Sequence, residues 1–116
     1  MTIEVEQLAP PVGGKLQIDI SLSATVNITG FSARQKVSGY VADELSTQMH
    51  GGTPKLVVGE RIAWRVPVIL SLPPSGDLGE VGYIDVDVET GELLTTEESL
   101  QEIKRHAKAL ASGAAS

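Results

Sequence analysis

Three stretches of this chain alternate apolar and polar residues with period two: residues 15–29, 61–72 and 81–89. Such alternation puts one apolar row on a single face of a strand. A chain with three such rows must build a sheet with a covered face, and another part of the chain must supply the cover. In the first run the even positions hold Leu16, Ile18, Ile20, Leu22, Ala24, Val26 and Ile28. In the second they hold Ile62, Trp64, Val66, Val68, Leu70 and Leu72, and in the third Ile84, Val86 and Val88. The first run is long against a typical strand of about 5–6 residues. It is expected either to bend near residues 21–24 or to pass beyond its domain and pair with another chain. Pro67 has no N–H to give a ladder, which predicts an edge strand or a bulge at that point. Pro73-Pro74-Ser75-Gly76-Asp77 and Glu89-Thr90-Gly91-Glu92 read as turns, the second with Gly91 in the left-handed position. Ile3 and Val5 are placed for a short extra strand.

Between the first two runs the period changes. Ser32 is expected to cap a helix, with Gln35 completing a capping box and Phe31 near a hydrophobic staple. Ala33, Val37, Tyr40, Val41, Leu45 and Met49 then make one apolar stripe. His50-Gly51-Gly52-Thr53-Pro54 should end this helix. Gly39 inside it costs about 1 kcal/mol relative to Ala, which suggests close packing against a strand there. A last helix is expected from a Thr95 cap with Glu98 as its box partner, and its stripe is Leu100, Ile103, Ala107 and Leu110. Glu97, Glu98 and Glu102 come early in it and Lys104, Arg105 and Lys108 late, an order that suits the helix dipole. Gly113 is its expected terminator. The pattern predicts an α+β fold: a two-layer sandwich with an antiparallel sheet and helices on one face, in the order β-α-β-β-α. Residues 1–14, interrupted by Ala9-Pro10-Pro11-Val12-Gly13-Gly14, read as an arm, 15–111 as one domain and 112–116 as a flexible tail. Trp64 and Val41 are expected between the first helix and the sheet.

Composition narrows the function. The 116 residues contain no cysteine, which excludes disulfides, thiol nucleophiles and cysteine-ligated metals. The net charge of −6 disfavours a nucleic-acid partner, because such a protein must neutralise phosphates. No apolar run approaches the roughly 20 residues of a membrane span, and the first residues lack the basic and apolar regions of a secretory signal. A cytoplasmic location is the resulting expectation.

Candidate chemistry is sparse. Asp85, Asp87 and Glu89 share one strand face, but the spacing to Gly91 and Thr96 does not fit a calcium loop. The same row reads as a strand face paired with a basic neighbour, with Arg65 opposite Asp85 and Arg61 opposite Glu89. From Gly76 to Glu98 there are eight acidic residues and no Lys or Arg. Asp77, Glu80, Asp85, Asp87, Glu89 and Glu92 are therefore the candidate residues for meeting a basic protein partner; the alternative is a solubilising surface. His50 and His106 are the only histidines and have no companions at metal-ligand spacing. No G-x-S-x-G elbow is present for a serine nucleophile, and Gly51-Gly52-Thr53 lacks the lysine and spacing of a phosphate loop. No catalytic residue, cofactor or metal is expected.

Two segments carry a family resemblance: Ile62-Ala63-Trp64-Arg65-Val66-Pro67-Val68, and Val81 to Leu93 with its Val86-Asp87-Val88-Glu89-Thr90-Gly91-Glu92 ending. Over residues 31–94 the chain resembles PepSY-type modules, in which a helix leads into a hairpin closed by a V-D-x-x-T-G-E-like turn. Such modules are usually secreted or membrane-attached. The resemblance implies a fold and a binding or regulatory habit, and no catalytic residues. The leading expectation is a non-catalytic protein that binds another macromolecule or self-associates, with a homodimer about the first strand. The alternatives are an acidic antitoxin or inhibitor covering a basic partner, and a small-molecule binder using an apolar groove near Trp64 and Tyr40.

Overall fold

The computed structural model describes residues 3–4 and 23–115. Its elements are β1 (Ile3–Glu4), α1 (Gly30–Glu44), β2 (Met49–Gly51), β3 (Lys55–Val58), β4 (Ile62–Leu72), β5 (Gly76–Asp87), β6 (Leu93–Leu94) and α2 (Glu97–Ala115). The strands form one antiparallel sheet in the order β1-β3-β4-β5-β6, with β2 also paired to β4. Ala33, Val37 and Val41 of α1 and Ile103 and Ala107 of α2 share one core with Val66, Val68, Ile84 and Val86. Both helices therefore cover the same face of the sheet, and the α+β sandwich follows from the apolar rows that need burial.

β4 and β5 form the central hairpin, with Val66 opposite Ile84 and Arg65 opposite Asp85. Pro67 lies in the middle of the sheet, which corrects the expectation of an edge strand. β3 pairs with β4 as far as Arg65 and β2 begins at Val68, so the proline falls in the gap between them. Its carbonyl accepts from the Gly52 N–H at 2.7 Å. Its missing donor points to that same side, away from β5, and costs the hairpin no bond. The bulges fall beyond it, between Val68 and Ile69 and between Leu70 and Ser71.

Several boundaries differ from the sequence reading. α1 is capped by Thr29, whose hydroxyl accepts from the Ser32 N–H at 3.0 Å, and Phe31 is 70% exposed, so neither the Ser32 cap nor the staple forms. α1 stops at Glu44 because the Ser46 hydroxyl takes the Gln48 N–H and opens a turn. Met49 is buried as expected, but on β2. A Cβ at Gly39 would meet nothing within 4 Å. The close helix–strand approach is at Gly51, where a Cβ would lie 3.0 Å from the Arg34 carbonyl and from Val66. The α2 cap is Thr96, one residue later than expected, and its box partner is Ser99: the two exchange backbone N–H and side-chain hydroxyl bonds of 3.0 Å each. α2 runs past Gly113 to Ala115, into the stretch expected to be a tail.

Residues 23–29 are not a strand. Both Asn27 and Ile28 give their N–H to the single carbonyl of Val88, and Trp64 Nε1 donates to the Ile28 carbonyl at 2.7 Å. The amides thus converge on one acceptor, where a ladder would spread them over several. Val26 is 56% exposed despite its even position. Residues 15–22 of the expected strand, and the homodimer built on it, lie outside the described residues. The short N-terminal strand does form, at Ile3 and Glu4 against Val58 and Val57.

Trp64 is partly buried in the core, its ring against Gly30, while Val41 is fully buried. Trp64→Ala should cost about 3–5 kcal/mol, whereas Trp64→Phe, which keeps most of the ring and orphans the Ile28 carbonyl, should cost about 1–3 kcal/mol. Urea unfolding of both variants checks the order; equal losses would show that the indole N–H contributes nothing.

Candidate functional site

The register of β4 and β5 decides what the acidic segment can do. Arg65 meets Asp85 as expected, through two parallel bonds: Nε to Oδ1 at 2.9 Å and an Nη to Oδ2 at 3.0 Å. The guanidinium also lies 4.0 Å from the centre of the Tyr83 ring. Both charged side chains are four-fifths buried, so this carboxylate is committed to its partner.

Asp87 is the one buried acid among the described residues, at 7% exposure. Its Oδ1 accepts from the N–H groups of Glu89 (2.8 Å) and Thr90 (3.0 Å). Those two backbone donors, with the Arg61 guanidinium 3.5 Å away, hold its carboxyl below the usual carboxylate range. Its backbone closes the turn: the Asp87 N–H donates to the Glu92 carbonyl, and the Gly91 N–H donates to the Asp87 carbonyl, 2.9 Å each. Gly91 has φ +75°, and a Cβ there would lie 2.8 Å from Lys36 Nζ, which donates to the Gly91 carbonyl. The Asp-x-x-Thr-Gly-Glu pattern is thus a self-capped turn that also anchors α1.

Arg61 faces Asp87 and Glu92, at 3.5 and 3.4 Å, and not Glu89 as expected. The Glu89 side chain instead accepts from the Thr25 N–H at 3.0 Å, while its carbonyl takes the Asn27 amide. The chain leaves β5 at Asp87, so Glu89 no longer follows the strand alternation. Asp77 and Glu80 lie near the opposite end of β5. Ten residues of extended chain separate Asp77 from Asp87, about 33 Å. The six candidate acids therefore form no common patch.

Two other groupings emerge. Ser71 and Asp77 pair across the hairpin, and His50 of β2 reaches both: Nε2 is 3.1 Å from Asp77 Oδ1 and 3.2 Å from Ser71 Oγ. The Ser71 hydroxyl also bonds to Asp77 Oδ1. These bonds, that of Ser71 first, hold the Asp77 carboxyl below its ordinary range. The trio has the residue types of a hydrolytic triad without its geometry. Serine and aspartate share one ring nitrogen, so the imidazole cannot take a proton from one side while being oriented from the other.

The second grouping is the outer edge of β5. β6 pairs with β5 only at Asp85 and Val86. Tyr83 stands opposite Pro67, whose polar groups point away from β5, so the Tyr83 N–H and C=O point outward. No strand pairs there among the described residues. A groove of about 360 Å³ runs along this edge, walled by Tyr83, Leu94, Ile103 and His106, with the carboxylates of Asp85 and Glu102 and no Lys or Arg in its lining. Tyr83 is half exposed. His106 Nδ1 sits 3.2 Å from the Val81 carbonyl and occupies one edge acceptor. The sequence reading missed this site, although Pro67 opposite Tyr83 is its signal once the register is known.

The ring of Trp64, expected beside an apolar groove, is taken up by Gly30 and the Ile28 carbonyl. Among the described residues no group of three or more His, Asp or Glu could hold a metal ion, and no helix is long and apolar enough to cross a membrane. No family model, curated protein or solved structure matches this chain.

The Asp87 turn makes a signed prediction. A carboxyl whose native pKa lies below 3.8 adds stability at neutral pH, and that stability is lost as pH falls through the native value. Asp87→Asn keeps an acceptor oxygen and loses the charge. Its urea midpoint should trail the wild type most near neutrality, with the gap narrowing below about pH 4. Asp87→Ala, which strips both turn amides of their acceptor, should cost about 1–2 kcal/mol at pH 7.

Proposed function

We propose that this chain is a non-catalytic binding protein that takes an extended, basic segment of another protein as an added strand on the outer edge of β5. The observation that carries this reading is the outward-pointing backbone of Tyr83 above a groove that β6 leaves uncovered. An added strand gains affinity from main-chain bonds and specificity from the side chains that flank it. A lining without lysine or arginine, in a chain of net charge −6, favours a cationic segment over a second copy of the same acidic chain. Tyr83, braced by Arg65 beneath its ring, offers an aromatic contact that is already ordered. The resemblance of residues 31–94 to PepSY-type modules supports the same binding habit. An antitoxin-like use of the whole acidic segment is less favoured, because Asp85, Asp87 and Glu92 already have arginine partners within the chain.

Selection from a displayed library of random linear peptides tests the reading. Lysine- and arginine-bearing, strand-forming peptides should be enriched and should shift the Tyr83 amide resonance. Tyr83→Pro removes the outward donor without breaking the β4 ladder. It should weaken those peptides about tenfold, the equivalent of 1.4 kcal/mol, with the urea midpoint nearly unchanged. Peptides that bind Tyr83→Pro as tightly as wild type would place the site elsewhere. A homodimer in light scattering that Tyr83→Pro dissociates would replace the foreign segment with a second copy.

A further inference from the structure

We propose that His106 limits the length of the segment that binds at the β5 edge: it closes the edge at Val81, so that the partner is read as a short extended motif and not as a long strand. The inference rests on the reading of that edge as a binding site. Between its two ends the open edge is short. On one side Asp85 is paired with Leu94 of β6, and next in line Tyr83 turns its N–H and C=O outward. Two residues further back, the Val81 carbonyl has His106 Nδ1 at 3.2 Å. A carbonyl oxygen only accepts, so Nδ1 carries the proton in this contact. The imidazolium and one neutral tautomer both provide that proton, and the closure does not depend on the charge of the ring.

The seat of α2 fixes His106 in that position. A Cβ at Gly82 would stand 2.6 Å from Ile103, and one at Gly79 would stand 3.4 Å from Leu110, so the helix runs along β5 toward the hairpin turn. Ser99, Glu102 and His106, at helical spacings of three and four, line the groove beside this contact. An incoming strand continues the line that β6 leaves at Leu94, antiparallel to β5. Tyr83 then exchanges both of its backbone bonds with one residue of the segment. That residue's side chain shares the face of the Tyr83 ring, and its two neighbours turn toward α2. The second residue on its C-terminal side would lie opposite Val81, where its N–H finds the acceptor already taken. From Asp85 to Val81 is about 13 Å of extended chain, which leaves about three residues of the segment between the two closed ends. The partner's chemistry is thus a brief basic stretch in extended form, as on an exposed loop or a chain end.

Fluorescence anisotropy with the full chain reads this directly. The probes are labelled, end-capped peptides of alternating lysine and valine, of about four and about ten residues, and the quantity compared is the ratio of their two affinities. Extra registers open to the longer peptide enter every such ratio equally. In His106→Ala, which frees the Val81 carbonyl for a further ligand N–H, the ratio should rise about fivefold over the wild type. His106→Asn, whose amide nitrogen stands where Nδ1 does, should keep the wild-type ratio. His106 is exposed, so both variants should unfold in urea close to the wild-type midpoint. Equal ratios in the wild type and His106→Ala would overturn the closure while leaving the edge as the binding site. Failure of both peptides to bind or to move the Tyr83 amide resonance would overturn the edge itself, and the closure with it.

Discussion

The register of one hairpin governs this molecule. With Val66 set opposite Ile84, the apolar rows of β4 and β5 fall on the same face and meet both helices. The same register sets Arg65 against Asp85 on the other face, and puts Pro67 against Tyr83. A slip of β5 by one residue against β4 would turn Ile84 and Val86 outward and bring Asp85 under the helices, away from Arg65. That penalty combines lost apolar burials, at about 1.5–3 kcal/mol each, with the burial of a carboxylate stripped of water. The Arg65–Asp85 pair adds little by comparison as a source of stability. Its value lies in being satisfied in one alignment only.

Pro67 turns that register into an architecture. A central strand needs donors on both sides, and a proline supplies none on one of them. β4 meets this by having two short partners on the deficient side, β3 up to Arg65 and β2 from Val68, with the proline at the join. Gly52 fills the join closely: a Cβ there would lie 2.9 Å from the Pro67 ring. The chain between β2 and β3 therefore bends at the proline, and β2 ends up beneath α1. A residue that reads in isolation as a mark of an edge is here the point at which two partner strands divide.

This explains which parts of the fold were legible. The hairpin, its two turns and both helices follow from local periodicity and turn chemistry, and Arg65–Asp85 follows from parity once the strands are assumed adjacent. The misreadings share a cause. The alternation carried through residues 23–29, the α1 stripe continuing to Met49 and the Gly39 contact were all extrapolations of a local period past a point set by tertiary bonding. Val88 captures the Asn27 and Ile28 amides, Ser46 opens the chain, and Gly51 rather than Gly39 takes the close approach. No window of sequence contains Val88 and Asn27 together. Within the charge run from Gly76 to Glu98, Asp85, Asp87 and Glu92 find arginine partners in Arg65 and Arg61, which lie some twenty to thirty residues earlier in the chain.

The open edge of β5 follows from where α2 can sit. Gly82 has φ +154°, and a Cβ there would stand 2.6 Å from Ile103. The glycine lets the helix press onto the strand face, and Ile103 is almost fully buried as a result. A helix held that close on the face does not also cover the strand's margin. Only His106 reaches over, to the Val81 carbonyl. β6 could close the rest, but the chain must leave it at Leu94 to reach the Thr96 cap, after two residues of pairing. The deep seat of α2 and the short run of β6 together leave Tyr83 with its donor and acceptor facing outward. The same packing that completes the core thus produces the unpaired edge on which binding would depend.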